Sequence, residues 1–70
     1  MALAKNLLKD RREKQRLTQE KLAETVHVSR QTIISIEVGR YVPSLELALK
    51  FAQVFHCQVE DLFGISGGEK

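Results

Sequence analysis

Apolar residues along this chain recur at intervals of three and four, with almost no strict alternation, so the pattern predicts helices and not strands. Ala2 to Gln15 contains no Gly, Pro or Ser and is rich in Leu, Lys, Arg and Glu, all strong helix formers. Ala4, Leu8 and Arg12 share one face of that first helix, and Lys5, Lys9, Glu13 and Lys14 lie largely elsewhere. Thr18 reads as the N-cap of a second helix, Gln19 to Val26, with Glu20 in its positive first turn. Ser29 caps a third, Arg30 to about Val38, and Gly39 suits the residue just past its end. Pro43-Ser44 stops the chain and caps a fourth helix, whose apolar stripe is Leu45, Ala48, Leu49, Ala52 and Phe55. A short fifth helix runs from Val59 to Phe63, with Glu60 and Asp61 near its start, and Gly64 ends it. Residues 66–70 read as a frayed tail. Five short helices with tight connections predict an all-α globule forming one domain over residues 1–70.

Composition narrows the class. The 43% apolar content supports a small core and excludes a disordered chain. A single Cys permits no internal disulfide and excludes four-Cys and Cys/His zinc frameworks, so packed helices or a partner chain must supply the stability. Residues 1–5 lack a signal-peptide core and no run approaches the ~20 residues that span a bilayer, which predicts a cytoplasmic protein without a membrane partner. The net charge of +2 hides an asymmetry. Met1 to Arg40 holds nine basic against five acidic residues, and Tyr41 to Lys70 two against four. One face suited to a polyanion follows, although an ordinary solvated surface gives the same count.

The connection between the second and third helices is only Val26-His27-Val28. That is a helix-turn-helix arrangement, whose second member can enter a DNA major groove. At 100° per residue, Ile33 and Ile36 point together toward a core. Gln31 and Ser35 point the opposite way, with Thr32 and Ile34 on the flanks. This outward face is short and rich in groups that both donate and accept, and it lacks the Glu/Lys pairs of a merely solvated helix. Gln pairs bidentately with adenine, Arg with guanine, and Ser or Thr with either.

The stretch Leu17-Thr18-Gln19-Glu20-Lys21-Leu22-Ala23-Glu24, followed by Val28-Ser29-Arg30-Gln31-Thr32-Ile33, resembles the phage Cro and lambda-repressor type of helix-turn-helix, the XRE family. The likeness continues through Ile36-Glu37, Gly39-Arg40-Tyr41, Pro43-Ser44-Leu45 and Glu60-Asp61-Leu62-Phe63, and so covers about Leu7 to Phe63. It implies a five-helix lambda-repressor-like DNA-binding domain, with the motif at about residues 18–38, similar to minimal bacterial or archaeal regulators. It further implies a repressor bound as a homodimer to a palindromic operator in double-stranded DNA. By position, Ser29, Arg30, Gln31 and Ser35 fall where the family reads bases. Gln19 falls where it grips a phosphate, and Arg40 where the loop meets the backbone. Arg30, near the helix start, has reach for either a guanine or a phosphate.

Four residues depart from the pattern. His27 stands where the turn usually carries Gly, at a cost if the backbone there has positive φ. Val38 replaces a polar residue, Arg11 an apolar one, and Gln58 a Ser cap. Arg12 and Glu37 both project from apolar faces, where an unpaired charge is expensive, and are expected to pair with each other. Apolar surface at Val59, Leu62, Phe63 and Ile65 is the candidate dimer seam.

No phosphate-binding Gly loop, acid–base pair or nucleophile motif occurs, so an enzyme is not expected, and neither is a cofactor or a small-molecule ligand. His27 and His56 lack companions for a metal, and Cys57 reads as a small apolar residue. The competing class is a protein-interaction module, an antitoxin or adaptor that uses the same fold on protein.

Overall fold

The computed structural model describes residues 3–65. Its elements run β1 (Leu3–Asn6), α1 (Leu8–Lys14), α2 (Gln19–Val26), α3 (Arg30–Glu37), α4 (Leu45–Val54), α5 (Val59–Leu62) and β2 (Phe63–Ile65). The expected frayed tail at 66–70 lies outside the described residues.

The five helices stand as anticipated, with one addition. Leu3–Asn6 is not the first turns of a helix but a strand, antiparallel to β2, with Leu3 opposite Ile65, Lys5 opposite Gly64 and Asn6 opposite Phe63. Ala4 therefore does not share a helical face with Leu8 and Arg12, and α1 begins only at Leu8. The cause is tertiary pairing overriding helix propensity. Leu7 N donates to Leu62 O at 2.8 Å, and Lys5 Nζ reaches Glu60 O at 2.8 Å. The Asn6 side chain accepts from Leu8 N at 3.3 Å and donates to Ile36 O at 2.7 Å, an alternative to helical bonding that Asn readily offers. The same pairing stops α5 at Leu62, one residue earlier than expected, because Phe63 is already extended. Gly64 fits this close approach, since a Cβ there would sit 3.3 Å from Lys5 Cβ.

Helix starts follow the expected caps. Thr18, Ser29 and Ser44 each accept through the side-chain hydroxyl from the backbone N–H three residues on. Gln58 is held differently, its N–H donating to Asp61 Oδ2 at 3.0 Å. Four of the helix ends share one device. A residue with left-handed backbone (Arg16, His27, Gly39 and His56, with φ of 58°, 64°, 86° and 53°) turns the chain. The following N–H then bonds back five residues: Leu17 to Arg12 O, Val28 to Ala23 O, Arg40 to Ser35 O and Cys57 to Ala52 O. In three of these the closing residue (Leu17, Val28 or Cys57) tucks against the core. In the fourth it is Arg40, which is exposed.

Leu8, Leu22, Val26, Ile33, Ile36, Phe51 and Leu62 are the large, fully buried side chains at the centre. Ile33 and Ile36 are buried as their spacing requires. On α4 the buried stripe is rotated from the expected one. Leu47, Ala48, Phe51, Ala52 and Phe55 face inward, and Leu45 and Leu49 remain 72% and 51% exposed. Both stripes are apolar at helical spacing, and the one carrying Phe51 wins by packing on Phe63, ring centroids 6.2 Å apart. Leu62 and Phe63, expected at a seam, belong to the core. No helix among the described residues is long and apolar enough to cross a membrane.

Candidate nucleic-acid interface

Helices α2 and α3 pack on each other through Leu22, Ala23, Val26, Ile33 and Ile36. The turn between them is made by His27, which takes the left-handed conformation that the resemblance assigns to Gly. With Ile33 and Ile36 fully buried, the opposite face of α3 must point out. Gln31 is exposed, Ser35 and Thr32 are half-buried beside it, and Ile34 is also half-buried. Gln31 Nε2 lies 3.4 Å from Ser35 Oγ, so the two polar side chains lie together along this face.

The other expected residues flank it. Ser29 is exposed, but its hydroxyl is engaged: it accepts from Thr32 N at 3.1 Å and sits 3.0 Å from Thr32 Oγ1. Its capping duty leaves it one further hydrogen-bonding capacity at most. Gln31, Thr32, Ser35, Arg40 and Tyr41 line one shallow cleft of about 230 Å³ at the C-terminal side of the face. Tyr41 was not singled out from the sequence. Its place beside Arg40, just past a helix-ending Gly, was the available signal.

On the other side, Lys9, Arg12, Thr18, Gln19, Glu20 and Arg30 line a cleft of about 710 Å³. Arg12 Nε donates to Glu37 Oε2 at 2.6 Å, its Nη2 to Glu37 Oε1 at 3.3 Å, and its Nη1 to Leu17 O at 2.8 Å. Gln19 Nε2 completes the set, donating to Glu37 Oε1 at 3.1 Å. Gln19 therefore commits one of its two amide N–H donors to the ion pair and keeps the other. Beside it, the start of the helix offers an anion backbone donors. The N–H groups of Gln19 and Glu20 precede the first intrahelical bond, made by Leu22 N to Thr18 O.

His27 and His56 sit at separate helix ends, and among the described residues no group of three or more His, Cys, Asp or Glu gathers.

Comparison with known proteins agrees with this geometry. The helix-turn-helix family model matches residues 8–62. An uncharacterized HTH-type transcriptional regulator of Methanocaldococcus jannaschii is 56% identical over 59 residues, covering 84% of this chain and 89% of that protein. YgzD of Bacillus subtilis, another uncharacterized HTH-type transcriptional regulator, is 52% identical over the same length, with the same coverages. Among solved structures, the clp gene regulator ClgR of Corynebacterium glutamicum superposes with a TM-score of 0.72 at 30% identity, over 77% of this chain. The chain spans a little over half of ClgR, 57% of its length. The SOS-response repressor LexA of Eubacterium rectale shares the fold, with a TM-score of 0.77 at 24% identity over 90% of this chain and 67% of its own.

Proposed function

The chain belongs to the XRE-type helix-turn-helix family of DNA-binding transcriptional regulators and is not an enzyme, and from that premise we propose that it is a cytoplasmic repressor that occupies a palindromic operator as a homodimer, acting as one DNA-binding domain. The observation that carries this reading is the division of α3. Its inner face is completely buried at Ile33 and Ile36, and its outer face presents Gln31 and Ser35 with Arg40 beside them. A helix held this firmly by its apolar side can bring its polar side into a major groove without rearrangement. Gln31 and Ser35 read base edges, and Ser29 has at most one hydrogen bond to add at the helix start. Arg40, Gln19 with its remaining amide N–H, and the first N–H groups of α2 hold phosphates, which set register without discriminating bases. Arg30 has both options open at this level.

Dimerisation is supported by surface that folding leaves uncovered. Leu45, Leu49 and Ile65 are more than half exposed, and Val59 lies between them along the α4–α5–β2 side. With Leu62 and Phe63 drawn into the core, these four form the seam. A two-fold axis through it is expected to set the two recognition helices about one DNA turn apart, roughly 34 Å. Bound there, the protein represses by occupying the site.

Selection of bound duplexes from random DNA tests the proposal. The expected product is an inverted repeat with half-site centres about 10 base pairs apart, or a multiple of that spacing. Enrichment of no sequence, with weak binding to every duplex, contradicts it and favours a protein partner.

A further inference from the structure

We infer that Arg30 serves the DNA backbone and not a base, forming with Lys9 a two-cation phosphate clamp across the cleft beside α2. The inference rests on the regulator reading above and assigns one residue that the reading leaves open.

Direction is the first argument. Arg30 is the first residue of α3, and helical side chains lean back toward the N-terminus of their helix. Its guanidinium therefore extends beyond the start of the helix, away from Gln31 and Ser35. The clefts record this separation. Arg30 lines the one shared with Lys9, Gln19 and Glu20, whereas Gln31 and Ser35 line the other, with Arg40 and Tyr41.

Charge is the second. Among the described residues the ion pairs are Arg12–Glu37, Lys14–Asp10 and Lys50–Glu46, so neither Lys9 nor Arg30 has a carboxylate partner. Both are exposed and line one open cleft from different helices, α1 and α3. Arg12 at its back is already neutralised by Glu37. Glu20 is the one free carboxylate on the lining, leaving a net positive cleft. Two cations on an open cleft match a phosphodiester, which shares its charge between two non-bridging oxygens and accepts donors from more than one direction. A guanine edge instead requires one guanidinium inserted in plane into the groove, on the reading face where Gln31 and Ser35 stand.

The two clefts share no lining residue, and each carries free cations, Lys9 and Arg30 on one and Arg40 on the other, so the duplex backbone is gripped at two places. Base discrimination falls to Gln31 and Ser35.

The test uses the full chain, with the selected operator and a scrambled duplex, at several salt concentrations. Lys9→Ala and Arg30→Ala should each weaken both duplexes by the same factor and lower the slope of log affinity against log salt by about one unit. Each should therefore change affinity about fourfold less than wild type does between roughly 50 and 200 mM salt. Arg30→Lys should keep both the slope and the operator-to-scrambled ratio, because a phosphate accepts either cation. Glu20→Gln should tighten both duplexes alike. A selective loss on the operator for Arg30→Ala, or a collapsed operator preference for Arg30→Lys, would place Arg30 on a base and overturn the inference. A wild-type protein with no operator preference would instead overturn the regulator reading itself, and the two failures are thus distinct.

Discussion

Arg12 Nε donates to Glu37 Oε2 at 2.6 Å, joining the first helix to the last residue of the recognition helix, with the two side chains only 10% and 3% exposed. Glu37 also accepts from Gln19, so three helices meet at one carboxylate. Arg12 in addition donates to Leu17 O, which closes the turn after α1. Each nitrogen of this network has at least one acceptor, and no buried side-chain nitrogen or oxygen among the described residues is left without a hydrogen-bond partner. The orientation of α3 relative to the N-terminus of α2 is thereby fixed by hydrogen-bond geometry as well as by packing.

Breaking this pair from one side should be severe. Arg12→Ala or Glu37→Ala leaves a buried, uncompensated charge, typically costing about 3–5 kcal/mol. For a domain this small each kcal/mol lowers the melting temperature by about 4–8 °C, so either variant should be largely unfolded well below the wild-type midpoint. Replacing Arg12 and Glu37 together with Met and Leu should cost much less. Thermal melts of the singles and the double check this, and a single-Ala variant melting within a degree or two of wild type contradicts it.

Three left-handed helix ends carry residues other than glycine. Left-handed backbone costs a side-chain-bearing residue about 1–2 kcal/mol, of which glycine's greater unfolded-state freedom returns about 0.4–1. His27→Gly, His56→Gly and Arg16→Gly should therefore each stabilise by about 0.5–1 kcal/mol, and the sites are distinct enough for the gains to add. Gly39→Ala should do the reverse, costing about 1 kcal/mol through backbone strain alone, since nothing lies within 4 Å of the added Cβ. Chemical denaturation of the four variants decides the matter. A stabilising Gly39→Ala would contradict it.

The seam predicts a separation of assembly from folding. Leu49 is 51% exposed and Leu45 72%, so Leu49→Glu and Leu45→Glu should leave the helical content and the melt of dilute protein unchanged. Sedimentation should show dimer for wild type at micromolar concentration and monomer for the variants, with binding to full operators falling to the level of isolated half-sites. Variants that remain dimeric would place the interface elsewhere.

Much of this was legible because helical periodicity sorts faces without reference to the rest of the fold. Ile33 and Ile36 against Gln31 and Ser35 is a matter of 100° steps, and the caps at Thr18, Ser29 and Ser44 are local chemistry. What escaped depended on distant residues. Leu3–Asn6 has helix-forming composition and becomes a strand because Phe63–Ile65 pairs with it, some sixty positions away. On α4 two apolar stripes compete, and contact with Phe63 selects the one containing Phe51. The turns at Arg16 and His56 gave little signal, because left-handed backbone is announced most strongly by Gly, only weakly by His and not by Arg. Gln19 occupied the expected position, but the sequence did not disclose that Glu37 would take one of its two amide donors.

The central claim is that the outward face of α3 reads sequence and its flanks do not. Affinities of wild type, Gln31→Ala and Arg40→Ala for the selected operator and a scrambled duplex, across a salt series, test it most directly. Gln31 offers a donor and an acceptor on one planar amide, matched to adenine N6 and N7. Gln31→Ala should cost about 1–3 kcal/mol on the operator, leave scrambled DNA unaffected, and relax selection at one base pair per half-site. Arg40→Ala should weaken both duplexes equally and lower the salt slope by about one unit. Equal losses on both duplexes for Gln31→Ala would show that this face does not read bases, and the account would fail there.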